Sequence, residues 1–397
     1  MGIADRTARR SAAKTVACHH HVGHIASAVR LTQPASHRDA GWRAFAVSIA
    51  FALSALFVVP RPARLGPSAE LAHAAPAAPT HLVAPPPGPR IVWGGDVMLG
   101  RDADRSTSTF VHSPLAGVAP LLAAADLAVV NLESPLTARP RVVAGPFDLS
   151  APPARAGWLA AAGIDVVSLA NNHAGDHGPA GLADTGRALA RARVAAVGRV
   201  GRVGPGGAWR GTVGGLRLVV LGCDATRLGA SGAVIDCAAL DGAVRAERAR
   251  ADVVAVVVHW GAEYAVAPDD DQRALGERLA GAGADLVVGS HAHVVQPTRW
   301  RDAGRGRTSL VAYGLGNLVF DSPVPSAMRG ALLETRLDVG GVAAYRLHPV
   351  DVRAGRSVLA PNEARPAWRT LGDRPARGPR PGPTPWRLDA GAAVGKE

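Results

Sequence analysis

From residue 90 to about residue 195, short apolar runs alternate with longer segments rich in Ala and Leu. IVWGG (91–95), LAVVNLE (127–133) and DVVSLANNH (165–173) are the runs, and the segments 114–125, 152–162 and 179–193 follow them. Short apolar runs bounded by turn residues predict buried strands, and the longer segments predict helices. The alternation implies βαβ units and a sheet with helices on its faces. After that the pattern shifts. Arg210–Val213 and Leu216–Cys223 flank Gly214-Gly215, which predicts a hairpin. Asp252–Val258 and Asp285–Val288 return as buried strands around a helix over Asp269–Ala282, and Ser309–Tyr313, Ala331–Leu337 and Val342–Val350 add strand signals.

The flanks carry no such pattern. Residues 1–43 form a basic leader, and Ala44–Val59 is a run of 16 residues without a charge. That length is short of the roughly 20 residues of a typical membrane span but longer than most signal-peptide cores. The positive charge before it predicts a single-pass anchor with the rest of the chain outside the cytoplasm, or a secreted protein if the segment is cleaved, with Ala72-His73-Ala74 as a candidate cleavage site. Residues 60–89, rich in Pro and Ala, are an extended spacer. The folded domain is expected over 90–352, followed by an Arg/Pro-rich unstructured tail at 353–397.

A net charge of +12 suggests a nucleic-acid partner until it is divided by region. Residues 90–351 hold 26 basic and 25 acidic side chains, so the excess lies in the flanks, and no nucleic-acid partner is expected. The three cysteines form no C-x-x-C pair, which excludes a zinc ribbon or a thioredoxin-type site. In an exported domain Cys223 and Cys237 either close a short disulfide loop or remain two buried thiols. No G-x-x-x-x-G-K-[ST] loop is present, so ATP-driven ligation would need a partner.

In open α/β sheets, ligands gather beyond the carboxyl ends of the strands. The polar residues expected there are Asp96, Asn131, Glu133, Asn171, Asn172, His173 and His259, with His291 and His293 spaced to point to one side of an extended turn. Each alone has a plainer reading as a cap, turn or strand-end residue. Together, carboxylates, amides and imidazoles make a donor set suited to a divalent Mn, Zn or Fe, as one ion or two. Two such ions are a common device for attacking a phosphate ester, with His173 placed to protonate the leaving group.

GGDVMLGR (94–101), NLESPLT (131–137), FDLSAPP with GIDVVSLANNHAGDHG (147–178), VVVHWGAEY (256–264), QRALGERLAGAGADLVVGSHAHVVQP (272–297) and YGLGNLVFD (313–321) resemble, in order, the blocks of the capsule-synthesis protein CapA family. That family belongs to the calcineurin-like metallophosphoesterase superfamily. The resemblance implies a four-layer α/β/β/α sandwich behind an N-terminal membrane segment, and a part in making or exporting an anionic polymer such as poly-γ-glutamate, alongside other capsule-synthesis subunits. It implies Asp96, Glu133, Asn172, His259, His291 and His293 as metal ligands, with Glu133 bridging, and His173 as acid steadied by Asp176. Arg101, Arg139, Trp260, Glu263 and Tyr264 would shape substrate contact, whereas Asn317 and Asp321 are expected as turn residues. One position departs from the pattern: Met98 stands where phosphoesterases have a histidine, leaving one ion short of a nitrogen. Three readings stay open: a capsule component with a working metal centre, a general extracytoplasmic metallophosphoesterase acting on a phosphate ester, and a non-catalytic polymer-binding scaffold.

Overall fold

The computed structural model describes residues 86–101, 113–198, 207–226, 236–237, 240–304, 306–360 and 367–370. The basic leader, the apolar segment at 44–59 and most of the Pro/Ala spacer lie outside the described residues. Among those described, no helix is long and apolar enough to cross a membrane.

The first half runs β1 (Arg90–Val97), α1 (Ala119–Ala123), β2 (Leu127–Leu132), α2 (Ala156–Ala161), β3 (Val166–Ser168), α3 (Gly178–Arg191), β4 (Ala195–Val197), β5 (Ala208–Val213) and β6 (Leu216–Asp224). The second runs α4 (Leu240–Arg248), β7 (Val253–His259), α5 (Asp270–Ala282), β8 (Leu286–Ser290), β9 (Thr298–Gly304), β10 (Arg307–Ala312), β11 (Asn317–Val319), β12 (Arg329–Asp338), β13 (Gly341–Arg353), β14 (Arg356–Leu359) and β15 (Arg369–Thr370). One sheet has the order β14-β13-β12-β1-β2-β3-β4, with β11 on β1 and β15 on β13; the other has the order β5-β6-β7-β8-β10-β9. The centre of each is parallel: β1 to β4 in the first, and β6, β7, β8 and β10 in the second.

Period-two alternation decides the layering. Ile91 and Trp93 of β1 face inward with Val129 and Val166 against Val220, Ala255, Val257 and Val288 of the other sheet. Val92, Val130 and Val167 face outward onto Leu122 of α1, Leu159 of α2 and Leu189 of α3. On the far side, Val219, Val254, Val256 and Val287 pack on Val244 of α4 and Leu279 of α5. The result is the four-layer α/β/β/α arrangement. Strands buried on both faces need apolar side chains at every position, which is why these runs read as continuous rather than alternating.

Helix α5 starts where its sequence says, because Asp269 accepts from the Gln272 backbone N–H and the Gln272 side chain accepts from the Asp269 N–H. Two expectations need correction. Only Ala119–Ala123 of the segment 114–125 is α-helical. The stretch before it approaches β14 so closely, through a Gly117–Val358 bridge, that a Cβ on Gly117 would lie 2.4 Å from the Ser357 carbonyl. The tail beyond 352 is not wholly unstructured either. Ala354 and Gly355 adopt positive φ and turn the chain back, so that Arg356–Leu359 pairs with β13, and Arg369–Thr370 pairs with it farther along.

Candidate metal centre

The centre lies where the carboxyl ends of the two parallel sheet halves meet. Asp96 ends β1 beside Asn131 of β2 and Asn317 of β11. The pair Gly94-Gly95 before it is required by space: a Cβ on Gly95 would sit 1.9 Å from the Gly316 carbonyl. Asp96 is fully buried, its Oδ1 accepting from Asn131 Nδ2 at 2.8 Å and its Oδ2 from the His291 backbone N–H at 3.2 Å. Asn171 holds Asn131 in turn, donating to its Oδ1 at 3.1 Å.

His259 ends β7 with both ring nitrogens engaged. Ser290 Oγ, which also reaches the Val258 carbonyl, lies 2.9 Å from His259 Nδ1, and Asn131 Nδ2 lies 3.4 Å from the same nitrogen. Nε2 faces electron-rich groups: Asn172 Oδ1 at 2.8 Å, His291 Nδ1 at 3.1 Å and Glu133 Oε1 at 3.4 Å. Lone pairs converging on one point in a buried pocket repel unless a cation sits among them. Glu133 makes the same case, for it is fully buried and neither carboxylate oxygen makes a hydrogen bond. The residues therefore fit a divalent metal. Glu133, His259 and His291 place donor atoms within 4.8 Å of one another, and so do Asp96, Glu133 and His293, with Glu133 common to both sets. His293 Nδ1 lies 3.4 Å from Asp96 Oδ2 and 2.9 Å from Asn317 Oδ1.

The charges are unequal across the cluster. Burial and the neighbouring His259 push His291 down to about 2, so it is neutral. Burial works in the same direction on His293, but the Glu133 and Asp96 carboxylates outweigh it and raise that imidazole to about 10. Burial would raise the Asp96 and Glu133 carboxyls, and for Glu133 so would the charge of Asp96; the facing imidazoles hold both below the ordinary carboxylate range. Beside them, His173 Nδ1 lies 3.1 Å from Asp176 Oδ2, which also accepts from Arg141 at 3.1 Å. Burial lowers His173, but Asp176 and Glu133 more than compensate, and its pKa is raised.

All six expected ligand residues thus come together with His173 and Asp176. Trp260 does not belong to a substrate surface. It is 1% exposed, stacks on Tyr313 and donates from Nε1 to the Tyr313 carbonyl at 2.7 Å, because the residue after His259 points to the opposite face, into the α4/α5 core. Arg101 pairs with Asp321 and covers the Phe147 ring, and Arg139 pairs with Asp184. Glu263 and Tyr264 lie at the exposed mouth, the Tyr264 ring centroid 6.0 Å from that of His293. Met98 is buried against Leu149 and Phe320. Ser290 and Arg141 were invisible in sequence. Asn317, expected as a turn residue, is buried with its amide N–H on the Ala327 carbonyl and its Oδ1 on His293; its place in YGLGNLVFD was the available signal.

Over 271 residues the chain is 27% identical to the PGA biosynthesis protein CapA of Bacillus subtilis, covering 65% of this chain and 70% of that one. It is 29% identical over 285 residues to the capsule biosynthesis protein CapA of Bacillus anthracis, covering 66% and 67%. A solved phosphatase from Mycoplasma pneumoniae aligns over 72% of this chain and 94% of its own, at 12% identity and a TM-score of 0.42, a distant likeness. The sequence profile of the bacterial capsule synthesis protein PGA_cap matches residues 90–322, a span that contains every member of the Asp96–His293 cluster, the whole second sheet and the parallel part of the first, and the chain belongs to that family.

Proposed function

We propose that this chain is an exported, membrane-tethered component of capsule polymer synthesis or export, and that its metal centre cleaves or transfers an ester or amide link of an anionic polymer such as poly-γ-glutamate. The observation that carries the reading is the convergence of Asp96, Glu133, Asn172, His259, His291 and His293 in a domain of the PGA_cap family. Asp96, Glu133 and His293 would hold one ion, and Glu133, Asn172, His259 and His291 the other. A bound Mn, Zn or Fe supplies Lewis-acid polarisation of the scissile group.

The chain's own groups do the rest. His173, with 20% of its side chain exposed and its pKa raised by Asp176 and Glu133, is placed to deliver a proton to the leaving group. Asp176 fixes the ring through Nδ1, and Arg141 holds Asp176 in place. Arg101, Glu263 and Tyr264 stand at the approach, where Arg101 is the group whose charge would meet an anionic chain. Ser290 and Asn317 hold the His259 and His293 rings at the orientation the donors need.

The test uses purified full-length protein, metal analysis, and incubation with poly-γ-glutamate and with an aryl phosphodiester across Mn, Zn and Fe. The expected result is bound metal and a metal-dependent change in polymer length that Glu133→Gln abolishes. Bound metal with turnover of the phosphodiester alone would replace this reading by a general phosphoesterase, and bound metal without turnover by a polymer-binding scaffold. A chain that binds no metal would overturn the centre itself.

A further inference from the structure

The two halves of the centre are unequally furnished. Glu133, Asn172, His259 and His291 give one ion four donor groups, whereas Asp96, Glu133 and His293 give the other three. Met98, two residues after Asp96, adds nothing, because its side chain is fully buried with Leu149 and Phe320. Glu263 lies at the exposed mouth of the site. One of its carboxylate oxygens and one ring nitrogen each of His291 and His293 lie within 4.8 Å of one another. Ligands at about 2.0–2.3 Å from a common metal stand no more than about 4.6 Å apart, so this spacing is near that of a coordination shell.

The backbone is arranged to put Glu263 there. Tyr264 N–H donates at 2.7 Å to the carbonyl of Ala292, the residue between the two histidines, so the 261–264 turn is bonded to the histidine turn itself. Tyr264, His291 and His293 all have left-handed backbone, with φ of 64°, 87° and 57°. Such conformations in bulky residues cost energy and persist where the surroundings enforce them, commonly at functional sites. The enforcing contacts are visible. Gln272 donates to Gln296 Oε1 at 2.9 Å and Gln296 donates to the Ala265 carbonyl at 2.7 Å, clamping both turns to α5. An exposed carboxylate held over two imidazoles by a strained, clamped turn is not an ordinary solvated glutamate.

We propose that Glu263 is a metal ligand of this centre, adding a carboxylate from the solvent side next to His291 and His293. The inference rests on the metal reading above. Glu263 adds an oxygen donor beside the two imidazoles at the mouth, which hardens the donor set there and favours Mn or Fe over Zn.

The test compares wild type, Glu263→Gln and, as an exposed carboxylate away from the site, Glu277→Gln. Each full-length protein is stripped with a chelator and titrated with Mn, with metal content and low-temperature electron paramagnetic resonance as readouts. Wild type and Glu277→Gln are expected to take up two ions per chain and show a spin-coupled spectrum. Glu263→Gln is expected to keep one ion, to bind the second at least about tenfold more weakly, and to show an uncoupled signal. Glu263 is exposed and the exchange is isosteric, so circular dichroism should be unchanged. Two ions bound by Glu263→Gln with wild-type affinity would overturn the proposal and leave the centre standing. So would a wild type that binds a single ion as tightly as the variant does. No metal in any of the three proteins would instead remove the metal reading on which the proposal rests.

Discussion

Replacing His293 by Asn should change the proton balance of metal binding more than it changes the fold. In the metal-free protein, His293 is buried between the Asp96 and Glu133 carboxylates and its pKa stands at about 10, against an ordinary imidazole value of about 6.5. At neutral pH the ring therefore holds two protons, and one must leave before a nitrogen can bind metal. Removing it near pH 7 costs about 4 kcal/mol, from about three pH units at about 1.36 kcal/mol each. The apparent affinity for the ion that uses His293 should rise about tenfold per pH unit through the neutral range and level off near pH 10. His291, held neutral with its pKa at about 2, has no proton to lose. Calorimetric titration with Mn at pH 7, in two buffers of different ionisation enthalpy, counts the protons released. Wild type should release about one per chain on account of His293, and His293→Asn should release none and lose the steep pH dependence. A wild-type affinity that is flat between about pH 6 and pH 9, with no proton released, would refute the reasoning.

Three further outcomes follow from other parts of the structure. Cys223 and Cys237, 14 residues apart in sequence, form a disulfide in the α4/α5 core; converting both to Ala should cost about 3 kcal/mol by the chain-entropy estimate and lower the thermal midpoint by about 6–12 °C, so an unchanged melt would count against the bond. Glu334 has no exposed side-chain surface and accepts from Arg90 at 2.7 Å, Arg346 at 2.8 Å and His348 at 2.6 Å. Burial would raise its carboxyl, yet these partners hold it well below the usual range, so its stabilisation is complete above the unfolded-chain value of about 4.3 and is lost as pH falls through the lower folded value. Glu334→Gln should then lose about 3 kcal/mol at neutral pH, and urea midpoints of variant and wild type should converge in acid; a gap that widens in acid would contradict this sign. Asn317→Ala should weaken Mn binding at least about tenfold while circular dichroism stays native, because it frees the His293 ring; unaltered binding would make Asn317 a turn residue after all.

Some of the fold could be read directly from the chain. Apolar runs such as VVAVVV and the capping pair Asp269 and Gln272 act locally, so β7 and α5 lie within a residue or two of their expected positions. Short strands without such signals, β4, β11, β14 and β15, could not be read, because their sequences acquire strand conformation only from a neighbour's hydrogen bonds. The same reason explains the shortened α1, where a contact with a segment over 200 residues away overrides local helix preference.

The site divides along the same line. Sequence order alone collected Asp96, Glu133, Asn172, His173, His259, His291 and His293, since strand-end position is a local property of each run. It could not tell Trp260 from Glu263 and Tyr264, which share one block. Only the packed sheets put Trp260 in the core and hold Glu263 over the histidines. Likewise the charge of His293 and the orphaned oxygens of Glu133 exist only once burial removes water and brings distant groups within a few ångströms. Local pattern along the chain is enough to say which chemical groups end the strands. The tertiary structure decided which of them share a dry pocket, because donor convergence and desolvation are properties of distance and burial that no local stretch of chain possesses.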